Sequence, residues 1–361
     1  MTDLLRETLR EKAEEQPLGW VDLAAVVTAG ERRIRRTRAF TAGAVAIAAA
    51  VVAVLAFPAL GLVRGARPPE VSTRPVPGPV RALGHDPAYL VAEPGGAVLH
   101  DGRTRVRTPI EHPVTWARAG AAFVVFDASG GVWRVDPGGA ERVARTSVSA
   151  GVRPMADLQA TTVSWTRSVG GSTILEGYDA AAGSSLRPRD LGPHAELVAV
   201  DRGVAYWTES RGLLSAPVQG GAPRTVLPSS PGHRPQVRDV AGGRLLLEDG
   251  SGLVTAPVAE PYRRAPAGRG GELSPDGRLI ASTGNWFSVL SATTGQDVTP
   301  EVTGSGGVFQ EWLGDHRLDL VVPGNDGSQE IEVCTVPSGR CRVWGELPAT
   351  AVPQGAYEPA P

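Results

Sequence analysis

Beyond residue 80 the chain alternates short apolar stretches with polar, glycine-bearing turns. The strongest apolar stretches begin near Tyr89, Phe123, Val163, Val204, Leu245, Leu279 and Leu318, at spacings of 34, 40, 41, 41, 34 and 39 residues. Each opens a unit of one design: an apolar strand, a polar turn, a second apolar strand, then a turn such as Asp136-Pro137-Gly138-Gly139 or Thr294-Gly295. FVVFDASGGVWRVDPGG from Phe123 and LLLEDGSGLVTAPV from Leu245 show it clearly. A period near 40 residues marks a repeat architecture.

One unit is a small antiparallel sheet with two faces to bury, and it is not stable alone. Stacking such sheets around an axis covers every face and leaves only short edges. The pattern therefore predicts an all-β fold, a seven-bladed β-propeller over 81–361. Six or eight blades remain open, because the first unit is the weakest match.

Upstream the pattern changes. Ala39 to Val63 is a run of 25 residues without a charge, bounded by Arg38 and Arg64. As a helix it measures roughly 37 Å, enough for a hydrocarbon core of about 30 Å. Eleven of the 25 are Val, Leu, Ile or Phe and ten are Ala, so insertion is favourable by roughly 3–7 kcal/mol. Arg32, Arg33, Arg35, Arg36 and Arg38 precede the run, while Arg64 and Arg67 follow it. That bias predicts a single-pass protein of the cell membrane, with its N-terminus in the cytoplasm and its C-terminal domain outside. The alternatives are a cleaved signal peptide and a buried core helix. The long leader argues against the first, and the length of the run with its basic flank against the second.

Residues 1–38 carry 8 basic and 7 acidic side chains. Leu4, Leu5 and Leu9 lie at helical spacing within Asp3 to Glu15; Pro17 and Gly19 end that helix, and Asp22 caps a second through Leu23, Val26 and Val27. Residues 64–80, RGARPPEVSTRPVPGPV, read as a Pro-rich extended linker that lifts the next domain off the bilayer.

Composition narrows the classes. A charged fraction of 20% with 42% hydrophobic residues excludes a disordered charged tail. A net charge of -2 gives no general attraction to nucleic acid. Lys12 is the one lysine among 36 basic residues, which with the Ala, Gly and Pro content suggests a GC-rich bacterial genome.

The search for chemistry is mostly negative. The sequence holds no Gly-x-Ser-x-Gly elbow, His-Glu-x-x-His, phosphate-binding Gly-Lys loop or EF-hand series, and no metal site or cofactor is expected. Cys334 and Cys341 frame CTVPSGRC, and on two arms of a hairpin they reach disulfide distance in an oxidising compartment. Trp116, Trp165, Trp207, Trp286, Trp312 and Trp344 are spread over the units and are expected to fill the spaces between blades.

One constellation stands out. His112, Arg153, His194, Arg234 and Arg269 each sit just ahead of an innermost strand, at offsets of 41, 41, 40 and 35. Equivalent positions in successive blades ring one mouth of the channel, so five such groups would favour an anionic ligand. Asp157, Glu196, Glu272 and Glu311 follow a few positions later and are placed to neutralise the ring from inside, with Arg238 of opposite sign. The competing reading is that all of them are loop residues in structural ion pairs.

Gly271 to Ala281, GELSPDGRLIA, resembles the Ser-Pro-Asp-Gly repeat of bacterial TolB-type and WD40-like propellers. Asp201-Arg202-Gly203 and Ala241-Gly242-Gly243 keep a reduced form. The resemblance implies fold and not activity. The N-terminal pair of short helices before an Arg-rich stop resembles tails of actinobacterial single-pass proteins, some of them anti-sigma factors. The zinc-binding His and Cys pattern of such tails is absent. The expected function is an extracytoplasmic, non-catalytic module that binds an unidentified protein or anionic ligand. The alternatives are a signalling protein whose residues 1–38 bind a sigma-type cytoplasmic regulator, and a propeller hydrolase or lyase.

Overall fold

The computed structural model describes residues 85–354 apart from 103, 148–152, 158–160, 230–235, 250–251, 262–264, 269–270, 283–286, 303–306, 325–327, 338 and 353. The tail 1–38, the apolar run 39–63 and the linker 64–80 lie outside the described residues.

The described residues form seven antiparallel sheets, six of them built in chain order from the innermost strand outward. Blade 2 is Pro113–Ala119, Ala122–Asp127, Gly131–Asp136 and Gly139–Arg145. Blade 3 is Met155–Ala156, Thr162–Val169 and Ser172–Asp179, with Ser184–Ser185 and Arg189–Pro193 both pairing the last. Blade 4 is Glu196–Asp201, Val204–Glu209, Gly212–Pro217 and Arg224–Pro228; blade 5 is Gln236–Ala241, Arg244–Asp249, Gly252–Pro257 and Ala265–Gly268. Blade 6 has three strands, Gly271–Leu273, Leu279–Ser282 and Val289–Ser291. Blade 7 is Val308–Gly314, Arg317–Pro323, Gln329–Thr335 and Cys341–Leu347.

Blade 1 is built differently. Ala88–Glu93, Gly96–Asp101 and Thr104–Thr108 run in chain order, but the innermost strand is Ala351–Val352 from the far end of the chain. Leu90 pairs with Val352 and Val91 with Ala351, so the two ends of the domain close the ring in one sheet. Trp116 of blade 2 adds a hydrogen bond from Nε1 to the Val352 carbonyl at 3.0 Å. The architecture is a seven-bladed β-propeller.

Each stretch that dominates the hydrophobic pattern is the second strand of its blade, covered on both faces by neighbouring blades. Ala122–Asp127 is buried at all six positions. Six apolar clusters fill the spaces between successive blades from 1 to 7. Trp116, Trp165, Trp207 and Trp312 sit in four of them with about 2% exposure, which gives these rings the packing role that their spacing predicts. Trp286 lies outside the described residues, and Trp344 is half-buried with its ring edge-on to Tyr89. Between blades 7 and 1 there is no such cluster among the described residues. A cavity of about 320 Å³, lined by Tyr89, Val308, Val321, Ile331 and Leu347 among others, occupies that seam.

Backbone turns also tie the blades together. The buried Asp201 carboxylate accepts hydrogen bonds from the Gly242 and Gly243 amides of the next blade at 3.2 and 3.0 Å. Asp157 accepts from the Gly203 amide in the same manner. Cys334 and Cys341 are paired residues on adjacent strands of blade 7 and form a disulfide.

Candidate functional site

The inner strands converge on a cavity of about 300 Å³ to which all seven blades contribute, so it is the axial channel of the propeller. Ala117, Met155, Ala199, Asp239, Leu273, Trp312 and Gln354 each come from a different blade or its closing segment. In a regular strand, neighbouring side chains point to opposite faces. Four inner strands break that rule with a bulge, between Pro113 and Thr115, Leu197 and Ala199, Val237 and Asp239, and Phe309 and Glu311. A bulge re-aims side chains locally. Consequently the consecutive pairs Arg238–Asp239 and Gln310–Glu311 all line the channel.

The lining is rich in acids. Asp201, Asp239, Glu272 and Glu311 face Arg153 and Arg238. Arg238 makes a short ion pair with Glu248 of the same blade, both side chains largely open to water. Arg153, just ahead of blade 3, reaches over the channel to Glu272 of blade 6, with Nη2 4.0 Å from Oε1. Both side chains keep about half their surface open (51% and 45%), so water screens the pair and weakens it. Asp239 is fixed more firmly: its oxygens accept from the Val240 and Leu273 amides, each at 2.7 Å. Glu311 accepts from Gln354 Nε2 at 2.6 Å through Oε2, with His85 Nε2 at 3.8 Å from the same oxygen. Its Oε1 is buried without a hydrogen-bond partner.

Crowding raises these carboxyls. Burial pushes Asp239 up to about 6, with Asp201 adding to the rise and its two amide donors and Arg153 opposing it. Glu272 is pushed up to about 7, by its enclosure in the channel first and the neighbouring Asp239 and Glu311 next, against Arg153. Asp319, which accepts the Glu311 amide at 2.9 Å, is held well above the usual carboxylate range by burial and by the Glu311 charge. Asp201 is raised chiefly by burial as well.

Of the five residues expected to ring the mouth, Arg153 lines the channel. His112 and His194 are exposed, in the turns ahead of blades 2 and 4, and are not among the channel-lining residues. Arg234 and Arg269 lie outside the described residues. Glu272, Glu311 and Arg238 line the channel as the spacing suggested. Glu196 is an exposed strand end, and Asp157 ties blades 3 and 4. Asp201 and Asp239 are channel acids that the spacing argument passed over. The described lining is thus predominantly acidic, the reverse of the expected sign, because the inner strands place more carboxylates than guanidiniums on it.

Among the described residues no metal cage stands out in the channel. Among the described residues, the one trio of metal-ligating side chains whose donor atoms converge within 4.8 Å is Glu332 with Cys334 and Cys341. Those sulfurs are bonded to each other and offer no thiolate.

No family model matches the sequence, and no curated protein matches it either. Solved structures do resemble it. The β-propeller domain of the Trilobed protease from Pyrococcus furiosus, described as having an open velcro topology, aligns at TM-score 0.50 and 10% identity, over 71% of this chain and 93% of that one. That likeness shows the propeller fold alone. TolB from Acinetobacter baumannii aligns at TM-score 0.39 and 13% identity over 74% of this chain, and the match spans 65% of the TolB chain, less than two thirds of it. A functionally unknown protein from Desulfotomaculum acetoxidans aligns at TM-score 0.48 and 13% identity, over 75% of this chain and 98% of that one.

Proposed function

We propose that the chain is a membrane-anchored binding protein that takes its ligand in the channel of an extracytoplasmic propeller and does not catalyse a reaction. Residues 39–63 cross the bilayer, 1–38 lie in the cytoplasm, and 64–80 space the propeller from the membrane surface. The observation that carries the binding role is the cavity itself. Six of the seven segments that meet there bring polar side chains to one partly open space of about 300 Å³, at the small end of ligand-site volumes.

The chemistry of the lining supports binding. Its described side chains supply carboxylates, guanidiniums and amides, groups that hold and orient a polar ligand. The disulfide supports placement in an oxidising compartment. The five-to-two arginine bias around the apolar run supports the same orientation.

The test is a thermal-shift panel of small cations, anions and neutral sugars on the detergent-solubilised full chain. Gln310→Trp serves as a plug, since Gln310 is an exposed bulge residue on the channel wall. At least one class is expected to raise Tm in the parent chain and to lose that effect in the plugged variant. No shift from any class, or shifts that survive the plug, would contradict a channel site.

A further inference from the structure

We infer that the channel ligand presents an organic cation, a guanidinium or alkylammonium group, bound between Glu272 and Glu311 at the place that Arg153 approaches. This rests on the channel being a ligand site and adds the chemistry of the ligand.

The charge balance comes first. The described lining sets two guanidiniums, Arg153 and Arg238, against four carboxylates, Asp201, Asp239, Glu272 and Glu311, and Arg238 is also paired with Glu248. Asp201 and Asp239 already accept two backbone amides each. Glu272 and Glu311 are less well served. Among the described residues, the Glu272 carboxylate has the 4.0 Å pair with Arg153 and no hydrogen bond.

Glu311 is the second, independent observation. Its side chain is only 6% exposed, it belongs to the channel wall, and Oε1 has no donor. Buried carboxylate oxygens are normally hydrogen-bonded, and an unmet one costs free energy until a donor arrives. Neither neighbour hydrogen-bonds that oxygen: Asp319 takes the Glu311 amide on Oδ1, and His85 Nε2 lies 3.8 Å from Oε2. A planar cation with several N–H donors supplies Oε1 and the Glu272 carboxylate together. It also offsets the negative charge of Asp239 and Glu311, which adds to burial in raising the Glu272 carboxyl.

Size selects the kind of cation. Calcium needs six to eight oxygens at about 2.3–2.6 Å, and no three channel carboxylates among the described residues bring oxygens within 4.8 Å of one another. A cavity of about 300 Å³ accommodates a guanidinium or ammonium with its aliphatic stem. Met155, which lines the channel and is half-buried, offers apolar surface to that stem.

The experiment is calorimetric titration of the solubilised full chain at pH 8 with four probes: acetyl-arginine amide, spermidine, calcium chloride and acetyl-glutamate amide. Acetyl-arginine amide or spermidine is expected to bind, and the stronger of the two separates a basic side chain from a polyamine as the source. Glu311→Gln and Glu272→Gln should each weaken the cation at least tenfold, while Arg153→Ala, which removes the internal competitor, should tighten it severalfold. Glu272→Gln keeps the test decisive should Glu311→Gln fail to fold, because Glu272 is half-exposed and gives up no hydrogen bond.

Cation binding unchanged in Glu272→Gln overturns the assignment, as does calcium binding in preference to both organic cations. Binding of acetyl-glutamate amide that Gln310→Trp abolishes overturns the cation and leaves the channel as the ligand site. Binding of no probe overturns the cation, and the thermal-shift panel then decides the fate of the channel reading separately.

Discussion

At the scale of single residues, the channel acids tie stability to pH in a direction opposite to ordinary surface carboxylates. Glu272 and Asp239 rise to about 7 and about 6 in the folded protein, from ordinary values of 4.5 and 3.8. The folded state therefore holds protons that the unfolded chain has released. Stability from these groups is fully present below about pH 4 and is lost as pH climbs through 6 and 7. Thermal denaturation of the full chain should show Tm falling between pH 5 and 7.5, with a shallower fall in Glu272→Gln. An identical slope in the two proteins would remove Glu272 from that role. Part of this site was readable in advance, since Glu272, Glu311, Arg153 and Arg238 were reachable from the repeat spacing. Asp239 was not, because the spacing marks one position per blade, Arg238 in blade 5, while the bulge lets the next residue line the channel as well. The signal available was local: two polar residues in succession after an apolar one, as in Val237-Arg238-Asp239 and Phe309-Gln310-Glu311.

At the scale of elements, the joints between blades depend on turns as much as on apolar packing. Gly242 has φ +58, and a Cβ there would lie 2.1 Å from the Asp276 backbone carbon. Gly277, in the Pro-Asp-Gly turn of blade 6, faces it from the other side, with the Ala241 carbonyl oxygen 2.6 Å from its own hypothetical Cβ. The two glycine turns read in the sequence as hairpin chemistry thus also set how closely blades 5 and 6 approach. Gly242→Ala should cost several kcal/mol, of order 2–4, measured by denaturant unfolding, because backbone must move. A loss below about 0.5 kcal/mol would show that the joint yields easily. Trp116→Phe keeps most of the ring packing and removes the bond to the closing strand, so a loss of about 1 kcal/mol is expected. The second strands were legible where burial on both faces makes them nearly continuous in apolar residues, as in Ala122–Asp127. Ala351–Val352 was not. Two residues carry no period, and their pairing with Ala88–Glu93 explains why the first unit matched the repeat least well.

At the scale of the whole molecule, the propeller closes on itself where Ala351–Val352 pairs with Ala88–Glu93, and a membrane anchor and spacer ahead of it are part of the proposal. The wheel is least packed at its seam, where the cavity of about 320 Å³ separates blade 7 from blade 1. Orientation is tested by reporter fusions. Alkaline phosphatase placed after residue 361 should be active and the same enzyme after residue 38 inactive; the opposite pattern would put the propeller in the cytoplasm. Replacing Cys334 and Cys341 together by Ala should lower stability by about 1–3 kcal/mol through the small loop that they close. The most direct measurement is hydrogen–deuterium exchange of the full chain with and without acetyl-arginine amide. Protection confined to the inner-strand segments 153–157, 236–241, 271–273 and 308–314 is the predicted result. Protection on outer strands such as 139–145 and 341–347, or on none, would contradict a ligand held in the channel.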